Sequence, residues 1–230
     1  MCNPIFLGSK RNSWIWMNEL RYTLLADGPG DRALMPILTW LLHQHLPNWA
    51  IQPQWADLGR FPSLSNVLHQ KIKMTVDLYQ CDLLFVHRDA ETISLNDRLV
   101  EVSAAVEEAR QSTRLPPCVG VVPVRMTEAW LLFDTDAIRE AAGNPNGTTH
   151  LNLPRLTRLE DVPDPKTILH NLILEATELG TRRKRHFKVK GAVQRIPEYI
   201  EDFSPLRELR AFSNLEEEIT RTITSQRWGD

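Results

Sequence analysis

The chain has 230 residues, 42% hydrophobic and 24% charged. This globular mixture excludes collagen-like, low-complexity and wholly disordered chains, and the length is enough to bury a sizeable core. Lys and Arg total 27 against 29 for Asp and Glu, and the formal charge of -2 leaves no global field to draw the chain onto nucleic acid or an acidic membrane, so any polyanion site must be local.

Cys2, Cys81 and Cys118 are odd in number and widely spaced, and two of them lie in apolar runs. That argues against a disulfide framework or a Cys-rich zinc knuckle and fits a reduced, cytoplasmic setting. No apolar run reaches the roughly 18 to 20 residues of a membrane span, and the N-terminus lacks the basic-then-apolar order of a signal peptide, so no membrane partner is expected. Residues 1–16 read as an N-terminal appendage, or as a product of where translation was taken to start.

From residue 17 to 143 short apolar runs alternate with amphipathic ones, which predicts an α/β domain with a mostly parallel sheet flanked by helices. Residues 22–26 (YTLLA) form a buried-type strand that ends in Asp27-Gly28-Pro29-Gly30-Asp31, and a helix follows over 33–46. A short strand over 51–55 and a helix over 67–79 come next. Residues 81–86 (CDLLFV) are a strand running into His87-Arg88-Asp89-Ala90-Glu91, then a helix over 97–110 and a strand over 118–124 (CVGVVPV). A single helix is expected over 127–142, capped by Thr127, with Glu128 in its first turn and Gly143 as its stop.

Residues 144–230 read as a mostly helical C-terminal region packed on this domain. Asn144-Pro145-Asn146-Gly147 is a turn, and Pro165 fits the first turn of a helix over 166–179. Residues 182–195 hold Arg182, Arg183, Lys184, Arg185, Lys188, Lys190 and Arg195 and no acid. The following acidic segment offers them salt-bridge partners, so the basic run reads either as a solvated or acid-paired surface or as a track for a nucleic-acid backbone.

Loops at the carboxyl ends of parallel strands converge on one crevice. Three such ends carry acids: Asp27 and Asp31, Asp89 and Glu91, and Glu128. Gathered carboxylates repel unless a cation sits among them, and all-oxygen ligands suit Mg²⁺ or Mn²⁺. The competing role is helix capping, which Asp31 and Glu128 both fit. Gly28 and Gly30 allow a sharp bend and close approach of a phosphate or ion, but the turn lacks the Gly-Lys-Ser/Thr ending of a P-loop and the third glycine of a dinucleotide fingerprint. His43 and His45 face different sides of a helix, there is no zinc-type His or Cys spacing and no GxSxG, Cys81 and Cys118 read as core thiols, and Trp130 reads as packing.

The segment Leu24-Leu25-Ala26-Asp27-Gly28-Pro29-Gly30-Asp31 resembles the first motif of Toprim domains, an apolar strand ending in acid-Gly-x-x-acid. The run into His87-Arg88-Asp89-Ala90-Glu91 resembles the second, a strand ending in Asp-x-Asp. The segment from Val122 to Leu132, with its Glu128-Ala129-Trp130, is similar to a small bacterial Toprim-like family of unknown function, as are Asp164-Pro165-Lys166 and the stretch from Lys190-Gly191-Ala192 to Phe203-Ser204-Pro205-Leu206-Arg207. The resemblance spans roughly residues 17 to 215.

It implies a Toprim-like (Rossmann-like) α/β fold and a nuclease using Mg²⁺ or Mn²⁺ on DNA or RNA phosphodiesters, in a phage-defence or mobile-element setting. Asp27, Asp89 and Glu128 would be catalytic, and Asp27, Asp31, Asp89, Glu91 and Glu128 would hold the ion. Arg88, Lys166, Arg182, Arg183, Lys184, Arg185, Lys188 and Lys190 would contact phosphate or nucleic acid. Two positions depart from the pattern: Asp27 stands where Glu is usual, and His87 replaces the first Asp of Asp-x-Asp. The alternatives are a catalytically degenerate subunit that binds nucleic acid or an ATPase encoded nearby, and a phosphohydrolase acting on a small nucleotide. A homodimer is a further expected assembly.

Overall fold

In the computed structural model, which describes residues 18–61 and 67–229, the strands are β1 (Asn18–Leu25), β2 (Trp49–Trp55), β3 (Leu83–His87) and β4 (Cys118–Val121). They form one all-parallel sheet in the order β2-β1-β3-β4. The expected appendage, residues 1–16, lies outside the described residues. Every residue of β3 is buried, as are Tyr22, Thr23, Leu24 and Leu25 of β1, so the apolar runs without alternation became the two central strands covered on both faces. The edge strand β2 carries Pro53, tolerable where one side of a strand has no neighbour to receive an N–H.

The helices are α1 (Leu34–His45), α2 (Leu68–Leu78), α3 (Leu95–Arg110), α4 (Thr135–Ala141), α5 (Pro165–Ala176), α6 (Thr181–Lys184), α7 (Val189–Tyr199) and α8 (Arg210–Gln226). Going from β1 to β2 the chain steps one way across the sheet, and from β3 to β4 it steps the other. With both crossovers right-handed, α1 and α3 fall on opposite faces. The packing agrees: α2 and α3 lie together, while α1 packs with α7 and α8. Tyr22 anchors α1 to the sheet, its hydroxyl 2.9 Å from both the Met35 carbonyl oxygen and Thr39 Oγ1.

One hydrophobic cluster runs from Leu20 to Ile223 and includes residues of the C-terminal helices, among them Leu169, Ile196, Phe212 and Ile219. Trp130 is fully buried with its ring edge on Phe212, centroids 5.4 Å apart, which is the packing role expected of it. No helix among the described residues is long and apolar enough to cross a membrane.

Two expectations need correction. The single helix over 127–142 is a 3-10 turn, Thr127–Leu131, followed by α4. Asp134 is the reason: its side chain accepts the Ala137 N–H at 2.9 Å and so starts a new helix inside the predicted one. Thr127 does not cap a helix, because the 3-10 turn makes no side-chain cap bond. The expected strand over 118–124 stops at Val121. Beyond it the backbone still pairs irregularly with the loop after β3, the N–H groups of Arg88, Ala90 and Glu91 donating to the carbonyls of Val121, Pro123 and Arg125 at 3.1, 3.0 and 2.9 Å.

Candidate functional site

The strand order places β1 between its successor β2 and β3, so the loops leaving β1 and β3 diverge and open a crevice at their carboxyl ends. After β1, the 3-10 turn Pro29–Ala33 swings Asp31 inward: the Asp31 N–H donates to the Gly28 carbonyl at 3.1 Å, and Asp31 Oδ2 accepts the Gly28 N–H at 3.0 Å. The expected capping by Asp31 is therefore present. Gly28 is extended, Gly30 is not left-handed, and a Cβ at either position would meet open space, so neither needs glycine's backbone freedom; the bend comes from the 3-10 turn.

At the end of β3 the period of two sets the next pair. His87 and Asp89 lie on one side of the extended chain and Arg88 on the other. His87 is 2% exposed, and its Nε2 stands 3.2 Å from Asp89 Oδ1 and 3.2 Å from Thr127 Oγ1. Asp89 Oδ1 also accepts the Thr127 N–H at 2.9 Å and the Thr127 hydroxyl at 3.4 Å. With a carboxylate oxygen so close, Nε2 carries a proton and donates. On the other edge of the ring, Nδ1 lies 3.6 Å from Asp31 Oδ2 and has no hydrogen-bond partner.

Asp31, His87 and Asp89 are the group among the described residues whose ligand atoms lie close enough to share an ion, all within 4.8 Å of one another. Burial pushes the Asp31 carboxyl above its ordinary range, opposed by the neighbouring His87. An orphaned imidazole nitrogen facing a desolvated carboxylate is a donor set that fits a divalent cation.

The other predicted site residues are distributed around this group. Asp27 is exposed and held by cations, its carboxylate 3.1 Å from Arg88 Nη1 and 3.4 Å from Lys71 Nζ. Arg88 also approaches Glu101 at 3.6 Å. Glu128 points to Lys166 Nζ at 3.5 Å. Glu91 turns away on a left-handed backbone, φ 53°, with its carboxylate 4.0 Å from buried Arg98. Thus the three strand ends do converge, yet Asp27, Glu91 and Glu128 stand outside the close group, and His87, whose position in the pattern read as a missing carboxylate, stands inside it.

A pocket of about 280 Å³ opens beside the group, lined by Asp31, Thr127 and Glu128 and walled by Lys166 and His170 of α5 and Lys190 and Gln194 of α7. Gln194 Nε2 donates to the Pro29 carbonyl at 3.1 Å and so ties α7 to the turn that carries Asp31. Thr127 was expected only as a helix cap, and His170 and Gln194 were not singled out from sequence, since each becomes a neighbour of the site only through packing across the fold.

The basic run divides. Arg195 Nη2 caps α4 by donating to the Ala141 carbonyl at 2.9 Å. Arg182, Arg183, Arg185, Lys188 and Lys190 are exposed and Lys184 is half-buried; among the described residues none of the six forms an ion pair, so pairing with the acidic segment is overturned. Glu216 of that segment instead serves Arg207 and His45. Cys81 and Cys118 are free, and burial raises both thiols, Cys118 to about 12, in keeping with core thiols.

Neither a family model, a curated protein nor a solved structure matches the chain.

Proposed function

We propose that the protein is a divalent-metal-dependent hydrolase of DNA or RNA phosphodiesters, on a Toprim-like variant of the α/β fold. The observation that carries the reading is the Asp31, His87 and Asp89 group at the crevice between β1 and β3, opening onto a pocket with Lys166 and Lys190 in its wall. The order of the acid-bearing strand ends, which resembles that of Toprim domains, supports it.

Asp31 and His87, with Asp89 beside them, would form the site of the ion, which when bound stabilises charge on a phosphoryl oxygen and lowers the pKa of an attacking water. Lys190, exposed and unpaired, offsets phosphate charge in the pocket, and Lys166 can exchange its exposed pairing with Glu128 for the same task. Asp27 carries the acid-base role, its charge steadied by Arg88 and Lys71. In the reaction the water oxygen would bond to phosphorus and give a proton to the Asp27 carboxylate, the ester P–O bond would break, and the departing oxygen would take that proton from Asp27. The unpaired run from Arg182 to Lys188 is a local cationic surface for the strand beyond the pocket, as a net charge of -2 requires.

Incubating the purified chain with supercoiled, linear and single-stranded DNA and with RNA, each with Mg²⁺ or Mn²⁺, tests this. The expected result is metal-dependent cleavage that is lost in Asp31→Ala and Asp89→Ala. Cleavage persisting in both variants would remove the assignment. A second reading, a binding subunit that has lost catalysis and docks nucleic acid or an ATPase, is favoured by the two cations that occupy Asp27; nucleic-acid binding without cleavage under any metal selects it.

A further inference from the structure

The two edges of the His87 ring are not equivalent. On the Nε2 edge every group has a complementary neighbour: the ring N–H is shared between Asp89 Oδ1 and Thr127 Oγ1, and that carboxylate oxygen also receives the Thr127 amide. Asp89 Oδ1 is thereby committed to donors. On the Nδ1 edge a lone pair points across 3.6 Å toward Asp31 Oδ2, with the imidazole 2% exposed and the nitrogen unpartnered. A lone pair on the buried nitrogen facing a half-buried carboxylate oxygen is repulsive unless a positive charge lies between them.

A proton on Nδ1 would offset the charge but leave its N–H without an acceptor, because 3.6 Å is too long for a hydrogen bond. A metal ion would satisfy both groups. Two ligand atoms each about 2.1 Å from a shared ion stand roughly 3 to 3.6 Å apart for ligand angles from about 90° to about 115°. The partition also matches a recurrent design in which a metal-binding imidazole donates its other N–H to a carboxylate that fixes the tautomer and ring orientation.

We propose that the ion lies between His87 Nδ1 and Asp31, that Asp89 is a positioning residue acting through His87 and not a ligand, and that the imidazole makes the site prefer a first-row transition-metal dication to Mg²⁺. The proposal rests on the metal-dependent reading of the same site and deepens it. Mg²⁺ takes oxygen ligands and gives up its water reluctantly, whereas imidazole is a favourable ligand for transition ions.

The test uses Mn²⁺ as the probe on the full chain. Loss of the free-ion paramagnetic resonance signal measures binding, and electron spin-echo modulation of the bound ion reports a directly coordinated nitrogen without any substitution. Expected are one Mn²⁺ per chain, nitrogen modulation, displacement by Zn²⁺, and Mg²⁺ competing at least tenfold more weakly. Asp31→Asn abolishes binding, while Asp89→Asn weakens it about ten- to a hundredfold and retains the nitrogen modulation. Bound Mn²⁺ without nitrogen modulation, equal competition by Mg²⁺, or equal losses in the Asp31 and Asp89 variants would overturn the proposal. Nitrogen-coupled Mn²⁺ in a protein that cleaves nothing would support it and remove the nuclease reading instead; failure to bind any of these ions removes both.

Discussion

Two histidine-carboxylate clusters in this fold have opposite electrostatic character. Between α1 and α8, Glu216 receives Arg207 Nε at 2.7 Å and Arg207 Nη2 at 2.6 Å, and His45 Nε2 lies 3.2 Å away. The Arg207 guanidinium also stacks 5.2 Å from the Trp40 ring centroid. The hydrogen-bonded guanidinium holds the Glu216 carboxyl below its usual range. Both carboxylate oxygens have donors, so the cluster is complete as it stands. The cluster between β1 and β3 gathers two carboxylates around one imidazole and leaves His87 Nδ1 unpartnered. A balanced cluster joins helices; an unbalanced one is stabilised from outside, and that is the physical basis for reading the second, not the first, as a binding site.

The largest expected effect breaks the comparison at its functional end. Asp31→Ala lowers the metal-dependent cleavage rate by about a hundredfold or more, the scale of removing one electrostatic stabiliser from a reacting centre. The paired measurement is thermal unfolding without metal, where Asp31→Asn leaves the midpoint unchanged or higher because a repulsive charge has gone. A fall of several degrees would make Asp31 a structural residue like Glu216.

Metal itself supplies the next effect. An ion at a hundred times its dissociation constant stabilises the fold by about 2.7 kcal/mol, worth roughly 5 to 10 °C in a chain of this size. Calorimetry with Mn²⁺ and then with a chelator reads it, and Asp31→Asn removes it. A shift surviving in that variant would place the ion elsewhere.

Replacing Arg182, Arg183 and Arg185 together by Ala is expected to weaken nucleic-acid binding about tenfold near physiological salt and to flatten the log-log salt slope by about 2 to 3. A binding titration at several salt concentrations measures both; an unchanged slope would mean that the exposed run is only a solvated surface.

The smallest effect belongs to the balanced cluster. Glu216→Gln costs about 1 kcal/mol at neutral pH, since the Arg207 partner is largely exposed, and leaves cleavage untouched. Because folding lowers the Glu216 pKa, its contribution is fully present above the unfolded carboxyl value of about 4.3 and is lost as pH falls through the lower folded value. Urea titrations of the two proteins should therefore converge in acid. A constant gap between them would show that the carboxylate charge is not what Glu216 contributes.

Local rules went far where one interaction dominated. The central strands were legible because runs such as Leu83 to Val86 have no polar alternation, and α1 and α5 were legible from apolar spacing and from Pro165 at a helix start. They failed where two local signals competed: apolar spacing over 127–142 read as one helix, but Asp134 captured the Ala137 amide and divided it. At the site, Asp27, Asp31, Asp89, Glu91 and Glu128 were all visible as acids after strands. Which of them meet was not, because strand-end position says nothing about side-chain direction: Asp27 turned to Arg88 and Lys71, Glu91 to Arg98, and Glu128 to Lys166. The His-x-Asp spacing of His87 and Asp89 did carry usable information, since residues two apart share one side of an extended chain.

By itself, then, the amino-acid sequence determined an α/β architecture with a mostly parallel sheet and the end of the sheet where the acids collect, because apolar periodicity and strand-to-helix alternation are properties of neighbours along the chain. Only the tertiary structure decided that His87 belongs with Asp31 and Asp89, that Thr127 holds Asp89, and that α5 and α7 bring Lys166 and Lys190 to the pocket. Those relations join residues tens of positions apart, and their chemistry follows from burial and distances of a few ångströms that no spacing in sequence encodes.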